Sequence, residues 1–302
     1  MLINHITNFC NSAYKSEDTT MVCQNCGHPH KCSGGCKKCL EEVHYPRRYP
    51  NGKKDYDCKN LINFYVCDYS FKYASEMLYL IRKSEALRRI NDYHILSIGC
   101  GGCPDLMAFE SFLKENGERK RIQYFGLDKN PLWRPIHDEV KKYFSEDISR
   151  AGFRYTDALD HIKLQKIRYA NVVVIQYLIS HLYNTNQIDA IHNFFDDLIK
   201  NVVIRRDPKK PFVILINDVN SNNRGRDYFY VLCNKLVAAG FHVTNQQFYF
   251  DYRIQNDYQR YGQRHQSINT LFDIPDGFEI YQPWTVCSSA QMLIELREEN
   301  VE

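Results

Sequence analysis

The sequence has no long hydrophobic run. Its longest apolar stretch, residues 170–179, already contains Asn171, Gln176 and Tyr177, whereas a membrane-spanning helix needs about 18 or more apolar residues. The N-terminus, MLINHITNFCNSAY, also lacks the basic start, apolar core and small-residue cleavage site of a signal peptide. We therefore expect a cytoplasmic protein.

An excess of charge of one sign is also missing. The 39 Lys and Arg residues stand against 36 Asp and Glu, which leaves a net charge of +3. This balance neither requires nor excludes a nucleic-acid partner. Apolar residues make up 44% of the 302 residues, so most of the chain is expected to form one large domain, or a medium domain with a small partner.

Cysteine is crowded into one region. Seven of the twelve cysteines lie between residues 23 and 67, where the average of the chain would place roughly two. They are Cys23, Cys26, Cys32, Cys36, Cys39, Cys58 and Cys67. In a reducing compartment this crowding favours metal thiolates over disulfides.

Two pairs in this region have the Cys-x2-Cys spacing of zinc knuckles: Cys23 with Cys26, and Cys36 with Cys39. Together the pairs would complete a tetrahedral Zn²⁺ site. The other three cysteines are candidate ligands of a second zinc, or plain thiols. The spacing from Cys32 through Cys36 to Cys39 also matches the iron–sulfur motif of radical S-adenosylmethionine enzymes, but no strand precedes it. We therefore expect a zinc-binding module over residues 1–67 with one or two zinc ions.

Apolar runs and helical patterns alternate from residue 93 onward. Strands are predicted at 93–99, 122–128, 152–157, 170–178, 211–218, 241–250 and 289–298. Such alternation predicts an α/β fold, with a mostly parallel sheet covered by helices on both faces. A helix over residues 68–91 is predicted to connect this sheet to the cysteine-rich region, because apolar residues recur there at helical spacing.

Polar features follow the first three predicted strands. The first ends in LSIGCGGCPD (96–105), the second at Asp128 and the third at Asp157. Glycines at such a turn let the backbone approach a ligand closely, and the next helix presents free amides. The dinucleotide fingerprint needs a glycine where Pro104 stands, so nicotinamide binding is the weaker alternative.

With these motifs the chain resembles class I S-adenosylmethionine-dependent methyltransferases over residues 92–298. The matching segments are LSIGCGGCPD (96–105), FGLDKNP (125–131), YTDALD (155–160), VVVIQYLISHL (172–182) and INDVNS (216–221). The resemblance implies a Rossmann-like sheet of seven strands, the last antiparallel, in a domain over residues 92–302. It departs from the family pattern at Ser97, where an acid commonly stands.

The resemblance also implies how S-adenosylmethionine would be bound. Gly99 and Gly101 would line the methionine and ribose, Asp128 would bind the ribose, and Asp157 the adenine. The full implied cofactor-binding set is Gly99, Cys100, Gly101, Asp128, Lys129, Asp157, Ala158 and Gln176.

Two residues of the fourth strand end are candidate catalytic groups. The resemblance implies that Gln176 and Tyr177 would border the transferred methyl group. His181 lies one turn beyond the strand, where it is either a base or a packed histidine.

The methyl acceptor is indicated by two basic and aromatic regions. Residues 31–60 carry eight Lys or Arg against four acids, and a basic zinc module suits RNA. An insertion at residues 251–288 interleaves arginines with aromatics, including Arg253, Tyr258, Arg260, Tyr261, Arg264, Tyr281 and Trp284. These would either stack on bases and contact phosphates, or pack onto the body of the protein.

We therefore expect RNA or another nucleic acid as the partner. Some ribosomal RNA guanine methyltransferases similarly join an N-terminal zinc module to this fold. The alternatives are a small-molecule or protein acceptor, and a non-catalytic zinc-dependent binding protein.

Overall fold

The computed structural model describes residues 1–14, 35–145, 148–221, 225–252 and 260–297. Within these ranges the α-helices are α1 (Leu2–Ala13), α2 (Cys36–His44), α3 (Lys59–Ile81), α4 (Glu85–Arg89), α5 (Pro104–Glu115), α6 (Arg134–Tyr143), α7 (Ala158–Leu164), α8 (Ile179–Asn184), α9 (Ile188–Asn201) and α10 (Phe229–Ala238). The strands are β1 (Asp92–Ile98), β2 (Arg121–Asp128), β3 (Arg150–Tyr155), β4 (Val172–Gln176), β5 (Phe212–Val219), β6 (Val243–Tyr249), β7 (Gln263–Arg264) and β8 (Ser289–Leu296).

The strands form one sheet in the order β3-β2-β1-β4-β5-β8-β6-β7. The first five strands along the chain run parallel, whereas β8 is antiparallel to both of its neighbours, β5 and β6. All seven predicted strands are present within two residues of their expected bounds, and the last is antiparallel as expected. The two-residue β7 is an addition at the edge. The predicted Rossmann-like α/β fold is therefore confirmed.

Helices cover both faces of the sheet. One apolar core lies under α1, α2, α3, α5 and α6, and the other lies under α7, α8, α9 and α10. The central strands are buried on both faces because each face is covered, which explains their near-continuous apolar sequence. Among the described residues, no helix is both long and apolar enough to span a membrane.

Helix α3 differs from the helix predicted over residues 68–91. It begins at Lys59 and ends at Ile81, and a separate short helix, α4, follows. Ser84 Oγ accepts a hydrogen bond from the Leu87 amide at 3.1 Å, which starts α4 with a side-chain cap. Because α3 packs against α1, α2, α5, β5 and β8, it is buried on most of its sides and occupies the centre of its layer.

Candidate functional site

Three strands end level with one another at one edge of the sheet. Ile98 is the last residue of β1, and it pairs in register with the end of β2 on one side and with the end of β4 on the other. The residues that complete or follow these strands, Gly99, Asp128 and Gln176, therefore lie at this edge. The strand order reverses between β1 and β4, and in open α/β sheets the ligand crevice lies at such a point. The structure thus brings together three residues predicted to bind the cofactor.

The turn after β1 requires its glycines. Gly99 and Gly101 have left-handed backbone conformations, with φ of +73° and +45°, which glycine adopts without a steric penalty. The Gly99 amide donates to the Leu127 carbonyl oxygen at 2.8 Å, and the Gly101 amide donates to Asp128 Oδ2 at 3.0 Å. The Cys100 amide also donates to the Leu127 carbonyl oxygen, at 3.0 Å, so three hydrogen bonds hold the turn against β2.

Asp128 lies half-buried beneath this turn. Its Oδ1 atom accepts a hydrogen bond from the Asn130 amide at 2.9 Å. Burial raises the pKa of the Asp128 carboxyl above its ordinary value, although the Asn130 and Gly101 amides oppose that shift. Because each carboxylate oxygen accepts about two hydrogen bonds, both oxygens retain capacity for the hydroxyls of a ribose.

The other predicted cofactor residues have structural contacts of their own. Asp157 is exposed and caps α7, since its Oδ1 accepts hydrogen bonds from two amides of that helix at 2.9 and 3.2 Å. Ala158 is buried in the first turn of α7, and Lys129 Nζ lies 3.5 Å from Asp55. Capping alone accounts for an aspartate at position 157, so its contact with adenine stays a prediction.

Tyr177, directly after β4, has a strained backbone. Its φ is +54°, a region that bulky side chains rarely adopt. The Tyr177 hydroxyl donates to Glu76 Oε2 at 2.7 Å, and its ring centre lies 4.2 Å from that of Tyr73. Gln176 Nε2 donates to the Tyr73 carbonyl oxygen, while Gln176 Oε1 is buried with no hydrogen-bond partner among the described residues. Strain of this kind clusters at functional sites.

Glu76 on α3 is a candidate functional residue that the sequence analysis missed. Its side chain is fully buried. Besides Tyr177, its Oε2 accepts a hydrogen bond from Asn217 Nδ2 at 3.1 Å, and its Oε1 accepts one from the Ser288 amide at 2.8 Å. Lys72 Nζ lies 3.9 Å from Oε1. A buried carboxylate must be paired and hydrogen-bonded to be tolerated, and this network provides both.

The sequence does carry a signal for this network. Asp68, Lys72 and Glu76 recur every four residues, which places them on one face of α3. All three are buried, and Lys72 Nζ lies 4.8 Å from the ring centre of Trp284. Burial raises the pKa of Asp68 to about 7, although Lys37 and Lys72 oppose the shift. Charged residues at this spacing within an aromatic and apolar helix therefore mark a polar site.

Aromatic rings connect the glycine turn to this network. Tyr65 and Tyr69 stack with ring centres 5.4 Å apart. Trp133 lies 5.8 Å from Tyr65 and also borders Gly101. We call the set the aromatic wall; it comprises Tyr56, Tyr65, Tyr69, Tyr73 and Trp133.

His181, on α8, is half-buried. Burial and the charge of Lys129 lower its pKa, whereas Asp55 opposes the shift. The imidazole is therefore neutral near pH 7 and able to accept a proton. These charged neighbours differ from the partners of Tyr177, so the two candidate catalytic residues have different surroundings.

Part of the 251–288 segment belongs to the core. Tyr261 is 7% exposed and packs edge-on against Phe229, with ring centres 5.8 Å apart. Tyr281 is fully buried. For these two rings packing onto the body is correct, and stacking on a base is wrong. Arg253 and Tyr258 lie outside the described residues.

The zinc knuckles are only half described. Cys23, Cys26 and Cys32 lie outside the described residues. Cys36 and Cys39 lie on α2, and each is 5% exposed. Zinc binding by the paired knuckles therefore stays a prediction.

Cys58 and Cys67 do not share an ion. Cys58 directly precedes α3 and Cys67 lies within it, so at 1.5 Å per residue they stand about 13 Å apart. Ligands of one zinc lie within about 4 Å of each other. Cys67 Sγ instead donates to the Thr7 carbonyl oxygen at 3.7 Å, and burial raises its pKa to about 12.

Comparison with known proteins gives neither a matching family model nor a matching curated protein. Solved structures with a similar arrangement include the plantazolicin methyltransferase BpumL in complex with SAH, at 13% identity and a TM-score of 0.44 over 87% of this chain and 98% of that one. Another is a precorrin-6y C5,15-methyltransferase from Geobacter metallireducens, at 13% identity and 0.36 over 75% and 87%. A third is a Methanococcus jannaschii fibrillarin pre-rRNA processing protein, at 14% identity and 0.34 over 70% and 68%. At these values the likeness decides neither family nor substrate.

Proposed function

We propose that this chain is a class I S-adenosylmethionine-dependent methyltransferase. The observation that carries the proposal is the turn after β1, where Asp128 at the end of β2 binds the amide of Gly101. The sheet order supports it, because β8 lies antiparallel between β5 and β6. A nicotinamide site is disfavoured, since Pro104 begins α5 where the dinucleotide fingerprint needs a glycine.

The residues at the crevice fit this cofactor. The glycine turn lets a ligand approach the backbone, Asp128 retains acceptor capacity, and Gln176 Oε1 is a buried acceptor without a partner among the described residues. When bound, the cofactor supplies a sulfonium methyl group, whose transfer depends mainly on positioning of the nucleophile.

The network around Glu76 would position the acceptor. The Tyr177 hydroxyl donates its proton to Glu76, which fixes the orientation of the phenol ring at the end of β4. Asn217 donates to the same carboxylate, so it helps to hold Glu76 in place. His181, neutral near pH 7, is the candidate base for an acceptor that must lose a proton.

We further propose RNA or another nucleic-acid component as the acceptor. The three half-buried rings of the aromatic wall, Tyr56, Tyr65 and Tyr69, support this, because a base stacked on an aromatic ring gains about 1–3 kcal/mol. The Arg47 guanidinium lies 5.1 Å from the ring centre of Tyr183, which places a cation next to α8.

A small-molecule or protein acceptor is the second candidate. It is favoured because some of the residues expected to contact RNA instead make contacts within the chain. Lys53 is paired with Asp57, and its side chain is only 7% exposed. Tyr261 is buried as well.

The N-terminal zinc is also proposed. Its ligands would be the four knuckle cysteines: Cys23, Cys26, Cys36 and Cys39. Removing the metal should unfold the cysteine-rich region while the sheet stays folded, because that region has few aliphatic residues.

Transfer of isotope-labelled methyl groups to total RNA, total protein and a metabolite extract in parallel tests the proposed function. Label in RNA supports both the methyltransferase activity and the proposed acceptor. Label in another fraction supports the activity and shows that the acceptor is a different molecule. If no fraction is labelled and calorimetry detects no binding of S-adenosylmethionine, the chain is a binding protein and the proposal fails.

A further inference from the structure

A second group of metal-ligating side chains lies beneath the glycine turn. Cys100, Cys103 and His137 each place one ligand atom within 4.8 Å of the others. All three are buried, at 4%, 0% and 0% exposure. In the described part of the chain, no other three His, Cys, Asp or Glu residues meet in this way.

The backbone of the turn brings the two thiols together. The Cys103 amide donates to the Cys100 carbonyl oxygen at 2.8 Å, which closes the tight turn Cys100-Gly101-Gly102-Cys103. Cys103 has a φ of +61°, a conformation that is costly for a side chain with a Cβ. A glycine or asparagine would adopt it at less cost, so a specific role for the thiol accounts for cysteine here.

His137 reaches the thiols from α6 in a fixed orientation. Its ring stacks on Phe153, with centres 3.9 Å apart and planes 7° from parallel. His137 Nδ1 lies 3.1 Å from the Tyr155 hydroxyl, while Nε2 lies 3.9 Å from Cys100 Sγ. Metal-ligating histidines typically have their second nitrogen held by a hydrogen bond of this kind.

The distances suit a small thiophilic ion. Tetrahedral zinc with bonds of about 2.3 Å to sulfur and 2.0 Å to nitrogen places the two atoms about 3.5 Å apart, close to the 3.9 Å found here. His137 Nε2 also lies 2.8 Å from the Gly101 carbonyl oxygen, and an ion would replace that hydrogen bond. Little movement of the backbone is needed.

A neighbouring carboxylate shows where a fourth ligand would be held. Asp105, in the first turn of α5, lies near Cys103 and accepts a hydrogen bond from Tyr124 on Oδ1 at 3.0 Å. Its Oδ2 is buried and forms no hydrogen bond of ordinary geometry within the described residues, although the Ser97 hydroxyl and the Leu106 amide also face the carboxyl. A water bound to the ion would provide that hydrogen bond.

We propose that Cys100, Cys103 and His137 bind one Zn²⁺, with water as the fourth ligand. The ion ties the glycine turn to α6. Thiolate and imidazole together select zinc over Mg²⁺ or Ca²⁺. This site is separate from the N-terminal knuckles, and it stands whether or not the turn binds S-adenosylmethionine.

The test is metal binding by the full-length chain, stripped of metal under reducing conditions. Co²⁺ alone is titrated while its thiolate charge-transfer band is followed, and bound Zn²⁺ is counted by native mass spectrometry. Cys103→Ser is expected to lose one equivalent of zinc, or to weaken Co²⁺ binding at least tenfold. The control Cys233→Ser changes a buried cysteine on α10, on the other face of the sheet, and is expected to bind as the unaltered chain does.

Two further variants keep the test decisive. If Cys103→Ser does not fold, His137→Phe preserves a ring against Phe153 and should lose the same equivalent. The double variant Cys36→Ser/Cys39→Ser should retain a cobalt band from the site beneath the turn. Equal metal content in the unaltered chain and in both Cys103→Ser and His137→Phe overturns the proposal, as does a Cys100–Cys103 disulfide recovered without metal.

Discussion

The turn after β1 and helix α3 border the same crevice but are built in different ways. The turn acts through its backbone, with left-handed glycines and an amide held by Asp128. Helix α3 acts through buried side chains, and the Glu76 carboxylate bonds Tyr177 and Asn217, which lie 101 and 141 residues further along the chain. A site made from backbone is recognisable in a short motif, whereas a site made from distant side chains requires the folded chain.

The largest effect is expected at Glu76. Glu76→Leu leaves Tyr177 and Asn217 without their shared acceptor and the buried Lys72 without its counter-ion. The free energy of unfolding should therefore fall by about 3–5 kcal/mol. Urea denaturation measures this. Glu115→Leu removes a carboxylate that is 38% exposed and pairs with Arg82, and should cost less than about 1 kcal/mol. Similar small losses in both variants would mean that the α3 network does not stabilise the fold.

Asp128→Ala tests the turn. Hydrogen bonds to a charged group contribute about 1.5–3 kcal/mol each, so loss of the carboxylate should weaken S-adenosylmethionine binding at least tenfold in calorimetry. Asp138→Ala, an exposed acid on α6, is the control. Unchanged affinity in the Asp128 variant would mean that S-adenosylmethionine does not bind at the turn.

The buried side chains of α3 should also make the stability of the fold depend on pH, through Asp68. The pKa of Asp68 in the folded chain, about 7, lies above the ordinary value of 3.8, so the folded state binds more protons than the unfolded chain between these values. Asp68 therefore reduces stability as the pH rises through that window. Asp68→Asn should raise the free energy of unfolding at pH 8 by about 4 kcal/mol and change it little below pH 4.

Denaturation at both pH values checks this, with Asp138→Asn as the matched change at an exposed acid. A gain that is equal at the two pH values would contradict the raised pKa of Asp68.

The smallest effect is expected at Asp157. Asp157→Ala removes the cap of α7 and should lower stability by about 1 kcal/mol, whereas Asp157→Ser keeps a capping oxygen and should lose little. If the carboxylate also binds the adenine, cofactor affinity falls in both variants. If Asp157→Ser binds the cofactor with full affinity, the role of Asp157 is only to cap α7.

The sequence alone determined the sheet and the turn. All of the strands except the two-residue β7 were predicted, because each lies in a local apolar run. The glycine turn was predicted because glycine, proline and aspartate have local backbone preferences. The level ends of β1, β2 and β4 then place Asp128 and Gln176 beside Gly99, as the parallel arrangement implies.

Tertiary structure alone decided the rest of the site. Helix α3 has apolar neighbours on most sides, so its pattern has no single face and its start at Lys59 was missed. Tyr261 and Tyr281 resemble exposed stacking residues in sequence but fill the core. Glu76 meets Tyr177 only after the sheet forms, because a contact across 101 residues leaves no local pattern in the chain.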